Sequence, residues 1–309
     1  MSQPQTVFLV GATGRTGSSI VDALLDDPKF HVIAAIRPAS ASKPAVEALK
    51  ARGAEIRIVD LASESDEQLQ EHLKGVDTVI SAIEWTQFSL QKPLIRASKE
   101  AGVKRFIPCD WGTPCIRGLA WSFDLKATFQ DLIKELGLGY TFIDVGMWYQ
   151  AIVPIIDPTK ELLPGSAEVT RTIFGSGDVK ASFTDLKDVG KFVSRIISDE
   201  RTLNRYVFCW AEQRTQNEIF ALAERIVGKP IPTKQTIPAE SFLVIANEAP
   251  PESEKRGYFQ FMHSLFVRGD NTIENAKKEE YGGALDAREL YPDFKPRSLE
   301  SYATEFYSQ

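Results

Sequence analysis

The chain has 309 residues, 43% of them hydrophobic, and a formal net charge of −6 at pH 7. That is enough apolar material for one large domain or two. Acidic and basic residues are mixed along it, so no basic stripe marks a nucleic-acid partner. The N-terminal MSQPQ has neither a basic segment nor an apolar run, and nowhere do about eighteen apolar residues follow one another. The expectation is a soluble, cytoplasmic protein with no membrane association. Cys109, Cys115 and Cys209, with His31, His72 and His263, are too few and too scattered for a disulfide framework or a zinc site, so no metal is expected.

The stretch Val7 to Gly17, VFLVGATGRTG, runs from a buried apolar strand through three glycines into the amphipathic SSIVDALL. Gly11 permits the sharp turn after Val10. Gly14 lets a pyrophosphate approach the backbone, and Gly17 lets the new helix pack close to the strand. The free N–H groups and positive dipole end of that helix then face the anion. Glycines alone mark ordinary turns, but a strand before and a helix after are what the dinucleotide fingerprint requires.

A second strand, HVIAAI, ends at Ile36. An Asp or Glu at its end would hold a ribose 2′-hydroxyl, whereas an Arg accommodates a 2′-phosphate. Here Arg37 follows, with no acid from His31 through Val46, and Lys43 lies a few residues on. Pro38 biases Arg37 to an extended conformation. The reading is a guanidinium clamp on NADP(H), set against an ordinary surface arginine.

A helix over Ala45 to Arg52 leads to a third strand, EIRIVD. Its Asp60 faces the adenine or starts the next helix. A fourth strand, DTVISAI, ends in small residues where the backbone can run along the cofactor. A helix from Ser89 to Ala101 precedes a fifth strand, KRFIPCD. This alternation is that of a Rossmann-type, doubly wound parallel sheet covered by helices on both faces. Right-handed crossovers bring the loops near residues 11, 37, 82 and 109 to one edge. The nicotinamide is placed along Ser81, Ala82, Ile83 and Cys109.

The next helix is expected from Leu119 to Leu136, with the apolar stripe Leu125, Phe129, Leu132, Ile133 and Leu136. Asp124, Asp131 and Glu135 fall on the opposite face. Lys126 lies at the margin of the buried face, where an ammonium either snorkels or serves a site. Short-chain reductases with this kind of glycine loop commonly carry a Tyr four residues before such a Lys. Here that position is Ser122, so the ordinary Tyr–Lys mechanism is absent. A sixth strand, YTFIDV, ends in Gly146, Met147, Trp148 and Tyr149, and Trp111 and Trp85 hold comparable loop positions. Two accounts fit these aromatics: caps on the core, or a pocket for a flat aromatic substrate. Beyond Gln150 the alternation weakens. KASFTDLKDVGKFVSRIIS reads as strand, turn and helix, and Pro230 to Pro251 reads as loop-rich. The division expected is an NADP-binding domain over 1–150 and a mainly substrate-binding, smaller α+β domain over 151–309, with some segments returning to the sheet.

Several stretches together resemble the isoflavone reductase-like branch of the atypical short-chain dehydrogenases, which includes phenylcoumaran benzylic ether and pinoresinol–lariciresinol reductases and is similar to the NmrA-like proteins. They are GATGRTG, Arg37 with Pro38, RASKEAGVKRFIP, FDLK, GLGYTFIDVG, FTDLKDVGKF, RTLNRYVF, HSLFVRGDN and ELYPDFK. The resemblance implies an NADPH-dependent reductase of an aromatic or conjugated small molecule in secondary metabolism. It implies phosphate contacts from Gly11 through Thr13, Gly14, Arg15 and Thr16 to Gly17, 2′-phosphate contacts at Arg37 and Lys43, and a catalytic lysine at Lys126. His263 falls in a stretch that borders the substrate cavity in relatives, against its reading as a core histidine. Two departures stand out. The plant enzymes typically read PSEFG where this chain has Pro108, Cys109, Asp110, Trp111 and Gly112, and Gln130 replaces a basic residue one turn beyond the lysine. The alternative from another class is a non-catalytic, NADP-sensing regulator of the NmrA type that contacts a partner protein.

Overall fold

The computed structural model describes residues 3–161, 165–233 and 235–308; the side chain of Trp85, among the aromatics singled out above, lies outside the described residues. The chain forms two compact units, each built from separated segments. The first comprises 1–111, 126–143 and 187–207, the second 112–125, 144–186 and 208–309.

The first unit is organised on β1 (Gln5–Val10), whose Val7, Phe8 and Leu9 are fully buried. A strand covered on both faces has no solvent side, which is why it reads as an unbroken apolar run. Helix α1 (Arg15–Leu25) follows and turns Ile20, Val21 and Leu24 inward. Then come β2 (Phe30–Ile36), α2 (Pro44–Ala51), β3 (Glu55–Ile58), α3 (Asp66–Leu73), β4 (Thr78–Ser81), α4 (Gln91–Glu100) and β5 (Arg105–Ile107). The five strands form a parallel sheet in the order β3-β2-β1-β4-β5. The order reverses between β1 and β4, where Val10 and Ser81 stand side by side at the strand ends. In open α/β sheets that crevice is where ligands bind. Ser65 caps α3 with a reciprocal bond to Gln68, so Asp60 does not start the next helix.

Helix α5 (Trp121–Glu135) is slightly shorter than expected, and its Phe129 and Ile133 are buried as the stripe requires. The sixth strand, β6 (Thr141–Asp144), is not a full member of the parallel sheet. It is preceded by one bridge, Phe106 to Tyr140, beside β5.

The second unit contains β7 (Met147–Trp148), α6 (Ser166–Val169), β8 (Thr172–Phe174) and β9 (Ala181–Thr184). Helix α7 (Leu186–Ile197) then carries the chain back into the first unit, and β10 (Arg205–Phe208) returns it. The strand–turn–helix read over 180–198 is therefore present as β9 and α7. Next come β11 (Glu212–Arg214), α8 (Gln216–Val227), β12 (Gln235–Ile237), α9 (Ser241–Glu248) and α10 (Glu254–His263). The segment read as loop-rich between Pro230 and Pro251 thus holds a strand and a helix. The apolar run SFLVIA coils because Phe242 and Ala246, four residues apart, are both fully buried. The core of this unit gathers Tyr149, Phe174, Phe183, Phe242 and Phe266.

Candidate active site

At the switch point Gly11 has φ +84°, and a Cβ there would lie 2.3 Å from the Ala82 carbonyl oxygen. At Gly17 a Cβ would lie 2.0 Å from the Gly11 oxygen. The loop thus folds onto itself and onto the end of β4, and only hydrogen fits at either position. Gly14 is the N-cap of α1, in extended conformation with no side-chain cap, and no acid occupies the first turn. The helix start keeps donor N–H groups for an anion.

A cleft of ≈ 280 Å³ opens here, lined among others by Gly11, Thr13, Gly14, Arg37, Lys43, Ala82 and Ile83, all expected from the sequence. Arg37 and Lys43 are both exposed and both in extended conformation, on either side of the Ser40 turn. Asp60 also lines the cleft. The Ser63 hydroxyl and the Ala62 amide, with Arg37 nearby, hold its carboxyl below the usual range. Ser40, Leu61, Ala62, Glu84, Gln87 and Leu90 complete this wall and were not singled out by the sequence. They lie three to nine residues beyond strand ends, so proximity to Arg37, Asp60 and Ile83 was the one signal that could have found them. Arg15, Thr16, Gly17, Ser81 and Cys109 do not line it. Thr16 and Gly17 are buried in the turn of α1, and Arg15 is exposed. The three-glycine cradle, the helix N–H groups and the two cations fit a dinucleotide with an extra phosphate.

Ser81 is fully buried, with no partner for its hydroxyl among the described residues. Cys109 is 6% exposed. Its N–H donates to Gln91 Oε1 (2.7 Å) and its thiol to the Ile83 carbonyl (3.1 Å). Burial pushes the thiol up to about 12, so it stays protonated at neutral pH and is no nucleophile. Lys126 is half-buried. Its ammonium donates to the Asp110 carbonyl and lies 5.9 Å from the centroid of the Phe88 ring. The lysine is thus held against the loop after β5, and does not simply snorkel to solvent. Gln130, one turn on, donates to Asp110 Oδ2 at 3.1 Å.

The aromatic residues separate. Trp111 is 7% exposed, and its indole donates to the Ser81 carbonyl at 2.8 Å. Its φ of +35° is one of three positive values at non-glycine residues among those described. Such a conformation costs about 1–3 kcal/mol and persists only where surrounding contacts over-determine it. Met147 (9% exposed) and Tyr149 (0%) belong to the hydrophobic core of the second unit, and the Tyr149 hydroxyl donates to the Arg297 carbonyl. Trp111, Met147 and Tyr149, expected at the substrate, are thus each buried, and Trp111 and Tyr149 are anchored by side-chain hydrogen bonds. Trp148 is half-buried, and its buried Nε1 has no partner among the described residues. His263 is half-buried beside the Phe242 ring, and burial, with Arg268 nearby, pulls its imidazole below the ordinary value. Among the described residues no group of three or more His, Cys, Asp or Glu could hold a metal ion. None of their helices is long and apolar enough to cross a membrane.

The chain is 36% identical to asnovolin J 5′,6′-dehydrogenase of Aspergillus novofumigatus, over 97% of this chain and 94% of that one. It is 32% identical to an isoflavone reductase-like protein of Olea europaea, over 99% of this chain and the whole of that one. Among solved structures it matches the binary complex of leucoanthocyanidin reductase with NADPH from Vitis vinifera at a TM-score of 0.81 and 25% identity, over 98% of this chain and 100% of that one. The sheet order and the glycine cradle are those of a Rossmann reductase. The family model described as NmrA-like matches residues 3–303, and the chain belongs to that family.

Proposed function

We propose that the protein is an NADPH-dependent reductase of an aromatic or conjugated small molecule of secondary metabolism, acting in the cytoplasm. The observation that carries the reading is the pairing of a phosphate cradle at Gly11–Gly17 with a half-buried lysine held beside the same sheet edge. The relatives' names as reductases and a dehydrogenase favour the enzyme over a non-catalytic regulator. When bound, NADPH supplies the hydride.

The chain's own residues do the rest. The α1 start, with Thr13, Gly14 and Arg15, binds the pyrophosphate, and Arg37 with Lys43 takes the 2′-phosphate. Ala82 and Ile83 present backbone along the cofactor, while Ser81 and Cys109 support that edge from behind. Hydride arrival must be matched by a proton. Lys126 holds one at Nζ, within reach of the loop after β5, and delivers it to a substrate oxygen or nitrogen.

The test is Lys126→Ala. It should bind NADPH as the parent does, while turnover of a substrate that the parent reduces falls by about 10²–10⁴-fold. Full turnover in the variant would remove Lys126 from the mechanism. No NADPH consumption by the parent across a broad panel of conjugated aromatic compounds would argue against the enzyme itself.

A further inference from the structure

The loop after β5 carries more restraint than a connection needs. The Cys109 N–H is tied to Gln91, the Asp110 N–H bonds the Pro108 carbonyl (2.9 Å), and the Trp111 N–H bonds the Ile143 carbonyl (3.1 Å). The backbone then enters the left-handed region at Trp111, where a large side chain is disfavoured. What offsets that conformation is the indole, suspended from the Ser81 carbonyl at the end of β4. The same turn aims the Asp110 carbonyl at the Lys126 ammonium, and Gln130, from the lysine's own helix, holds the Asp110 carboxylate. Strand end, loop and helix are thereby joined around a single amine.

We propose that Trp111 is a positioning residue for Lys126: its indole N–H, hung from Ser81, holds the 109–111 turn so that the Asp110 carbonyl faces the lysine, with Gln130 as the second tie. Phenylalanine would fill similar space but has no N–H, so the device depends on the indole of this chain's PCDWG sequence. It gives Lys126 a fixed donor direction although the Tyr of the ordinary mechanism is missing. The importance of the device rests on the reading of Lys126 as the proton carrier; its geometry does not.

The test needs no identified substrate. Pulse acetylation of the full chain with bound NADPH at one fixed pH, followed by mass spectrometry, gives the rate at Lys126, with exposed Lys134 of the same helix as the internal reference. Trp111→Phe should raise the Lys126 rate about three- to tenfold, the effect of one lost hydrogen bond. Gln130→Met should raise it likewise, and Lys134 should not change. A merely structural role would loosen the helix and raise Lys126 and Lys134 together, and that result, or unchanged rates in both variants, overturns the proposal. If Trp111→Phe melts without cooperativity, Gln130→Met decides. Retained turnover in Lys126→Ala would sink the catalytic reading of the lysine while leaving the acetylation result to judge Trp111.

Discussion

Arg37 and Lys43 flank the buried Ser40 at the rim of the cleft, both exposed, with Asp60 on the facing loop. Exposed cations gain little from one another or from distant acids, so their presence here is best accounted for by an anion that arrives. A guanidinium donating to a phosphate makes charge-assisted hydrogen bonds, each worth about 1.5–3 kcal/mol. Arg37→Glu both removes them and sets a second carboxylate near Asp60, whose own carboxyl is held ionised by Ser63 and Ala62. NADPH affinity should fall about 10- to 100-fold or more, while NADH, which has no 2′-phosphate, should change by less than about threefold. Calorimetric titration of both cofactors measures the difference, and equal losses would detach Arg37 from the 2′-phosphate. The place of Arg37 at the cleft was legible in the sequence because it directly follows the end of β2. Trp111 was not. Nothing local announces that a tryptophan will accept φ of +35°, since the contacts that enforce it come from Ser81 and Ile143, some 30 residues away on either side.

At the level of elements, the helix that carries the cradle is braced from a distant part of the chain. Gly190 of α7 donates its N–H to Ser19 Oγ (2.9 Å), and a Cβ at Gly190 would sit 1.8 Å from the Ser19 carbonyl oxygen. Two helices in such close approach have no room for a methyl group. Gly190→Ala must push α7 away from α1, at a cost of about 1–3 kcal/mol or more. It should lower the melting temperature, and because α1 holds the phosphate-binding N–H groups, NADPH affinity should fall with it. An unchanged melting temperature would mean that the helices relax freely. The sequence showed that α1 and α7 exist, through their apolar periodicity, and it showed β1, β2 and β4 as continuous apolar runs. It could not show that α7 belongs with the first unit. Neither an unmarked glycine in DVGKF nor the buried Arg105, which donates to the Ile196 carbonyl and the Thr202 hydroxyl, has a local pattern that names its partner. The same holds for Tyr149. Its place after a strand end gives no sign that its hydroxyl is anchored on a carbonyl 148 residues away.

For the molecule as a whole, the acids that matter most to stability are those buried without charge. Burial pushes the thiols of Cys109 and Cys115 up to about 12, raises Cys209 well above its usual value, and pushes the Tyr258 hydroxyl to about 12. In each case the folded state keeps a proton that the unfolded chain releases at lower pH, near 8.5 for a cysteine. The stabilisation is complete below that pH and is lost as pH rises toward the folded value, because the unfolded state then binds fewer protons. Each such thiol removes about 1.4 kcal/mol per pH unit within that window. Two of them acting from pH 8.5 to 10 would consume about 4 kcal/mol, a large part of an ordinary folding stability. Cys109 lies in the first unit and Cys115 and Cys209 in the second, so both should weaken. Denaturant unfolding under reducing conditions should show a midpoint that is flat to about pH 8 and falls steeply toward pH 10. Cys109→Ala with Cys115→Ala should flatten that fall by up to about 2.8 kcal/mol per pH unit. An unaltered slope in the double variant would show that these thiols are not what sets the alkaline limit.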